Sequence, residues 1–191
     1  MSYYYLVSSL PGISLNAAPS MGLPAFLSLC KDHLSDRDFQ ALTTALAPEA
    51  TNTGSDHPFI KAWSARETQL RNAAARLRAV RRQEDAGTFI RDHIGFDVCL
   101  EEGVEEAFNL PTPLVREQAL DRIRWQILDD IVGVDLFCAK AVLAYGVKLQ
   151  LSERWAGMDS ERGMTRIKSA ISETPENKTD STKIDAATAA P

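Results

Sequence analysis

Residues 56–83 read DHPFIKAWSARETQLRNAAARLRAVRRQ, and this stretch decides the class of fold. Asp56 is a natural N-cap, Pro58 suits a first helical turn, and neither glycine nor a second proline interrupts the run from Phe59 to Gln83. Trp63, Leu70 and Leu77 recur every seven residues. Ile60, Ala74 and Val80 fill the neighbouring positions. The spacing predicts a helix from Pro58 to about Gln83 that packs along another helix through a coiled-coil-like seam. Glu67 falls on that seam between Trp63 and Leu70. A charge there is costly unless it is paired, so a cation from another helix, such as Arg124 or Lys148, is expected to meet it and fix the register.

Working outward, the same punctuation recurs. Pro24 opens a short helix, Ala25 to His33. Ser35, three residues before Asp38, caps a helix from Asp36 to Leu46 whose apolar face is Phe39, Leu42 and Leu46. A polar loop spans Pro48 to His57. Beyond the long helix, Gly87, Gly95 and Gly103 divide the chain. Short helices are expected at Thr88 to His93 and Val98 to Phe108. Thr112-Pro113 starts a helix to about Ile131 that buries Leu120, Ile123, Ile127 and Ile131, and Gly133 stops it. Asp135 is expected to cap a helix from Leu136 to Trp155, with Val142, Tyr145, Leu149 and Ser152 on one face. Ser160 is expected to cap a last helix to about Ile171. Tyr3 to Val7 is strand-like in composition, but a lone strand has no partner. The reading is all-α: an elongated or compact helical bundle of about six to eight helices. It forms a single domain over residues 1–171, with a disordered tail over residues 172–191, where Ile184 is the only large apolar residue.

The composition suits such a bundle. Of 191 residues, 45% are hydrophobic and 25% charged, enough to bury a core. Twenty-one basic residues against 26 acidic ones give a net charge of −5, which argues against a nucleic-acid coat. The first charged side chain is Lys31. The apolar opening nevertheless lacks a basic start and is broken by Pro11-Gly12, so it is not read as a secretion signal. No stretch approaches a membrane span. Cys30, Cys99 and Cys138 have no CxxC spacing and read as small hydrophobes in a reducing cytosol.

Catalytic signatures are scarce. There is no phosphate-cradling GxxxxGK[ST] loop, no GxGxxG, no HExxH and no GxSxG. Arg91-Asp92-His93, near Asp97 and Cys99, invites a Cys–His pairing, but closeness in sequence is weak evidence for one. Glu101, Glu102, Glu105 and Glu106 lack the ExxH partners of helical di-metal sites and read as an acidic helix start favoured by the helix dipole. No cofactor, metal or catalytic residue is expected.

Charge distribution says more. Between residues 61 and 82, Lys61, Arg66, Arg71, Arg76, Arg78, Arg81 and Arg82 stand against Glu67 alone. Between 97 and 121, Asp97, Glu101, Glu102, Glu105, Glu106, Glu117 and Asp121 stand against Arg116 alone. The blocks can face each other, or face two protein partners and steer association. RNA binding by the arginines lacks interleaved aromatic platforms.

Tyr3-Tyr4-Tyr5-Leu6-Val7-Ser8-Ser9-Leu10-Pro11 resembles the start of a bacterial family of uncharacterised proteins encoded beside V-type ATPase subunits. The resemblance continues through Phe59-Ile60-Lys61-Ala62-Trp63 and Glu67-x-x-Leu70-Arg71-Asn72-x-x-Ala75-x-x-Arg78-Ala79. It resumes at Arg116-Glu117-x-Ala119-Leu120-Asp121-Arg122-Ile123-Arg124-Trp125 and ends at Tyr145-x-x-Lys148-Leu149-Gln150-x-x-x-Arg154-Trp155. Glu67 to Asn72 and Tyr145 to Lys148 are similar to runs in the C (eukaryotic d) subunit, a helical funnel between the rotary stalk and the membrane ring. This chain is much shorter than a usual C subunit, and Leu149 to Leu151 lacks the acidic residue of that run.

The resemblance implies a non-catalytic subunit of a bacterial V-type rotary ATPase, coupling the central stalk to the membrane ring. It would be cytoplasmic and peripheral to the inner membrane through that complex, with neither nucleic-acid binding nor direct membrane insertion. Stalk and ring subunits would be its partners. Tyr3, Tyr4, Tyr5, Arg76, Arg78, Arg81 and Arg82 are the candidate contacts, since Tyr and Arg are favoured at interface hot spots. Glu67, Arg71, Asn72, Asp121, Arg124, Tyr145 and Lys148 are expected to form a structural polar network. A transient assembly or accessory factor of the same ATPase, or an unrelated helical interaction domain, is the alternative.

Overall fold

A computed structural model describes residues 3–47, 54–158 and, beyond these, Met164, Thr165 and Ser169. Among them the chain forms seven α-helices, one 3-10 turn and no strand. The helices are α1 (Tyr4–Ser9), α2 (Leu23–His33), α3 (Asp36–Leu46), α4 (Pro58–Arg82), α5 (Val98–Asn109), α6 (Pro113–Val132) and α7 (Ala139–Ala156). Compactness divides the chain after Gly157. Met164, Thr165 and Ser169 are helical. The rest of the expected last helix, the tail over residues 172–191 and the loop at 48–53 lie outside the described residues.

Local chemistry explains most boundaries. The Ser35 side chain accepts from Asp38 N and starts α3 where the capping pattern places it. Thr112 accepts from Val115 N and starts α6, and Asp97 accepts from Leu100 N and starts α5. Gly22 has no side chain to cap α2. Glu153 of α7 supplies the carboxylate instead, 2.7 Å from Leu23 N, which suits the positive end of the helix dipole.

Four boundaries differ from expectation. His57, not Asp56, caps α4 by accepting from Phe59 N, while Asp56 pairs with Lys61 at 2.8 Å. In place of the expected Thr88 to His93 helix there is a single 3-10 turn, Gly87–Phe89, because the backbone at Arg91 bonds to a side chain of α4. Asp135 folds back onto Phe137 N at 3.1 Å, a local Asx turn, so α7 begins three residues later than Leu136, at Ala139. Tyr4 to Ser9 coils into α1, for with no strand to pair with, its backbone satisfies itself.

The core is shared by α4, α6 and α7, with α5 covering α4 and α6, and α3 covering α4 and α7. Phe26, Leu42, Phe59, Ile60, Trp63, Leu70, Leu128, Val142 and Leu149 fill it. Gly146 lets α7 approach closely. A Cβ there would stand 2.6 Å from Leu42 Cδ1 and 2.9 Å from Phe26 Cε1, both on fully buried side chains. The α4 seam stops early: Ile60, Trp63, Leu70 and Ala74 are buried and Leu77 is half-buried, but Val80 is 75% exposed. On α6, Leu120 and Ile127 are buried while Ile123 and Ile131 are only partly so.

Candidate functional site

Three polar clusters and two exposed apolar surfaces are set into this frame. The first cluster joins α4, α6 and α7. Glu67 is buried and accepts from Arg71 Nε at 2.8 Å, Arg124 Nε at 2.9 Å and Arg124 Nη2 at 3.1 Å. Arg124 Nη1 also reaches Asp121 Oδ1 at 2.9 Å. Asp121 is fully buried, and Arg154 and the Trp155 indole, the latter at 2.7 Å, close on its other oxygen. The result is a chain of alternating sign: Arg71, Glu67, Arg124, Asp121, Arg154. Each carboxylate accepts three bonds, so most of its acceptor capacity is taken up within the chain. The cluster is suited to holding three helices in register. Arg154 and Trp155 are members that charge patterning alone does not find, since only the fold reveals that Asp121 is buried and in need of donors.

Asn72, Tyr145 and Lys148 stand apart from this cluster. Tyr145 donates to Pro11 O at 2.9 Å, and burial pushes its phenol up from the ordinary range. Lys148 pairs with Asp129 and lies 4.8 Å from the Trp125 ring centroid, so it never meets Glu67. Asn72 belongs to the second cluster. Its side chain donates to Arg91 O at 2.7 Å and accepts from Arg91 N at 3.0 Å. One turn earlier Gln69 does the same to Asp97, donating to its carbonyl at 2.8 Å and accepting from its amide at 3.1 Å. Two buried amides thus grip the backbone at both ends of the segment from Arg91 to Asp97, which removes it from helix formation. Gln69 is a residue that sequence reasoning misses, because a glutamine on a helix reads as surface.

The third cluster lies where α1, α3 and the start of α4 meet. Asp38 accepts from Tyr3 Oη, from Ser35 Oγ at 2.8 Å and from His57 Nε2 at 3.1 Å. His57 Nδ1 accepts from Phe59 N at 3.3 Å, so the ring proton sits on Nε2. Burial alone would raise the Asp38 carboxyl, but the three donors outweigh it and hold it below the usual carboxylate range. Ser35 and His57 both address Asp38 and not each other, so the group is no nucleophile–base relay. Tyr3 is buried within it, which removes Tyr3 from the exposed candidate contacts.

The two charge blocks face each other. Arg76 grips both oxygens of Glu101 at 2.7 Å, Arg66 meets Asp97 at 3.3 Å and Arg78 reaches Glu117 at 3.7 Å. Arg81 donates to Phe108 O, and its guanidinium lies 5.2 Å from the Phe108 ring centroid, with that of Arg78 at 5.7 Å. Of the candidate contact arginines, Arg82 alone makes no ion pair, backbone bond or ring contact among the described residues. Glu102, Glu105 and Glu106 are exposed and unpaired among them. No hydrogen bond links His93 to Cys99, no group among the described residues is arranged to hold a metal ion, and burial pushes the Cys30 thiol up to about 12.

Exposed apolar side chains gather in two places. At one end of the bundle Tyr4 (65% exposed) stacks on Phe137 with centroids 4.5 Å apart, beside the exposed Val134 and Leu136. Tyr5 (74% exposed) lies edge-on against His33. On the clamped segment, Ile94 is 90% and Phe96 65% exposed, and Val98 follows at the start of α5. Among the described residues no helix is long and apolar enough to cross a membrane.

The sequence model of a family described as "Protein of unknown function (DUF2764)" matches residues 99–176, a span that takes in α5, α6 and α7. No curated protein and no solved structure matches the chain.

Proposed function

We propose that this chain is a non-catalytic subunit of a bacterial V-type rotary ATPase that couples the central stalk to the membrane ring. The observation that carries the reading is a charge-locked helical body with exposed aromatic and aliphatic side chains at one end. Tyr4, against Phe137, and the exposed Tyr5, Val134 and Leu136 are large apolar side chains of the kind that protein contacts use. Behind them, the Glu67–Arg124–Asp121 cluster ties three helices together, as transmission of torque requires. The resemblance along Tyr3 to Pro11, Glu67 to Ala79, Arg116 to Trp125 and Tyr145 to Trp155 supplies the identity of the complex.

In this reading the arginines of α4 are stiffeners, not docking groups, because Arg76, Arg78 and Arg81 already have partners within the chain. Docking through apolar side chains should then survive high salt, where screening would dissolve a contact made by surface charges. The test is isolation of the intact ATPase from native membranes in low and in high salt. Retention at fixed stoichiometry in both, with a stalk that detaches from the ring when the chain is removed, is expected. A chain absent under both conditions would overturn the reading and leave an assembly factor or an unrelated interaction domain.

A further inference from the structure

We infer that the clamped segment from Arg91 to Asp97 and the adjoining face of α5 form a second docking surface, whose occupant is a basic amphipathic segment of another protein chain. The inference does not rest on the rotary-ATPase reading. It starts from the cost of the clamp. Gln69 and Asn72 occupy buried positions on α4 that apolar side chains would fill more cheaply. Both direct their amides onto the backbone of Asp97 and Arg91. The segment they hold in place has Ile94 and Phe96 pointing into solvent rather than into the core. Gly95, at φ +78°, supplies the left-handed backbone between them. A loop fastened at both ends presents its apolar side chains with little ordering left to lose on binding.

The charges beside it identify the occupant. Phe96 and Val98 border a groove of about 180 Å³ between α4 and α5, lined by Ala73 and Leu77 and edged by Glu102 and Glu105. Arg76 and Glu101, also at this groove, neutralise each other. Glu102 and Glu105, like Glu106, have no cation among the described residues, whereas Asp97, Glu101 and Glu117 of the same acidic block are paired with arginines of α4. An apolar groove with an unpaired carboxylate edge suits a helix with aliphatic side chains on one face and Lys or Arg beside them. An acidic partner or an anionic lipid surface would be repelled.

The test uses the full-length, 15N-labelled chain and a synthetic amphipathic peptide of Leu and Lys, about five helical turns long. Two controls accompany it: the same composition reordered so that no apolar face forms, and the ordered peptide with Glu replacing Lys. Saturable binding of the ordered basic peptide alone is expected, with amide shifts confined to Ala73, Leu77, Phe96, Val98 and Glu102 and their neighbours. F96S and the double reversal E102K/E105K should each weaken binding by about tenfold or more. Both replace exposed side chains, and unchanged thermal melts would show that the variants fold. Equal binding of the reordered peptide would reduce the effect to charge alone and overturn the inference. So would shifts elsewhere, the absence of binding, or a dimer in sedimentation that F96S abolishes, since that would assign the face to a second copy.

Discussion

The two halves of α4 are held by different physics. Ten of its eleven buried residues lie between Phe59 and Ala74, and Ala79 alone lies beyond. The first half is surrounded by α3, α5 and α6 and carries the buried polar residues Glu67, Gln69 and Asn72. The second half runs out from the core with Val80 in solvent, held to α5 through Arg76 and Arg81 and to both α5 and α6 through Arg78. One uninterrupted helix thus passes from a region where every polar atom needs a partner to one where water satisfies whatever the protein does not. The same type of interaction has a different weight in each. A buried carboxylate is expensive to leave alone, whereas an exposed ion pair contributes little.

That contrast can be broken deliberately. Asp121→Ala removes a fully buried carboxylate, so that the mostly buried Arg124 keeps only Glu67 and the Trp155 indole loses its acceptor, while the half-exposed Arg154 turns to water. It should cost about 3–5 kcal/mol, measured by denaturant unfolding. Trp63→Ala in the first half should cost a similar ~3–5 kcal/mol through the cavity it opens, whereas Val80→Ala in the second should stay within about 0.5 kcal/mol. Equal effects would refute the division of α4. Gly146→Ala tests packing without charge. Its methyl would meet Leu42 and Phe26, and a loss of about 1–3 kcal/mol is expected from thermal melts.

Acid should find the Asp38 node. Its carboxyl is held below the usual range, so the node's contribution is fully present above the ordinary Asp pKa of about 3.9. It is lost as pH falls through the lower, folded value. Asp38→Asn should therefore flatten the acid limb of the stability profile while leaving its neutral slope intact, as read from unfolding curves at stepped pH. A small effect is also expected at Arg76→Ala, about 0.2–1 kcal/mol, and it should shrink in high salt. A salt-independent loss there would show that the second half of α4 is held by more than surface charge.

How much of this was legible depends on the range of the interaction responsible. Ser35, Thr112, Pro58 and Gly133 act within one turn of their own position, and the helix ends they mark are close to those observed. That Glu67 meets a cation from another helix was legible because a charge on an apolar seam demands a partner, but the choice of Arg124 over Lys148 was not. The partners of Asp121 were not, since nothing near it announces that it is fully buried. The segment from Thr88 to His93 was misread for the same reason: the backbone bonds of Arg91 go to Asn72, nineteen residues away, and not to its own next turn. The early start assigned to the last long helix arose from Asp135, which caps its own turn as readily as a helix.

By itself, the sequence determined that the chain would be helical, roughly where each long helix begins and ends, and that two blocks of opposite charge would have to be neutralised or displayed. Those properties follow from hydrophobic period and from side chains reaching their own backbone, both local. Only the tertiary structure decided which charges were neutralised and which were left free, that Tyr3 belonged to the core while Tyr4 and Tyr5 did not, and that two amides would grip a loop and turn its apolar side chains outward. Those outcomes depend on burial, and burial is a property of all the helices together.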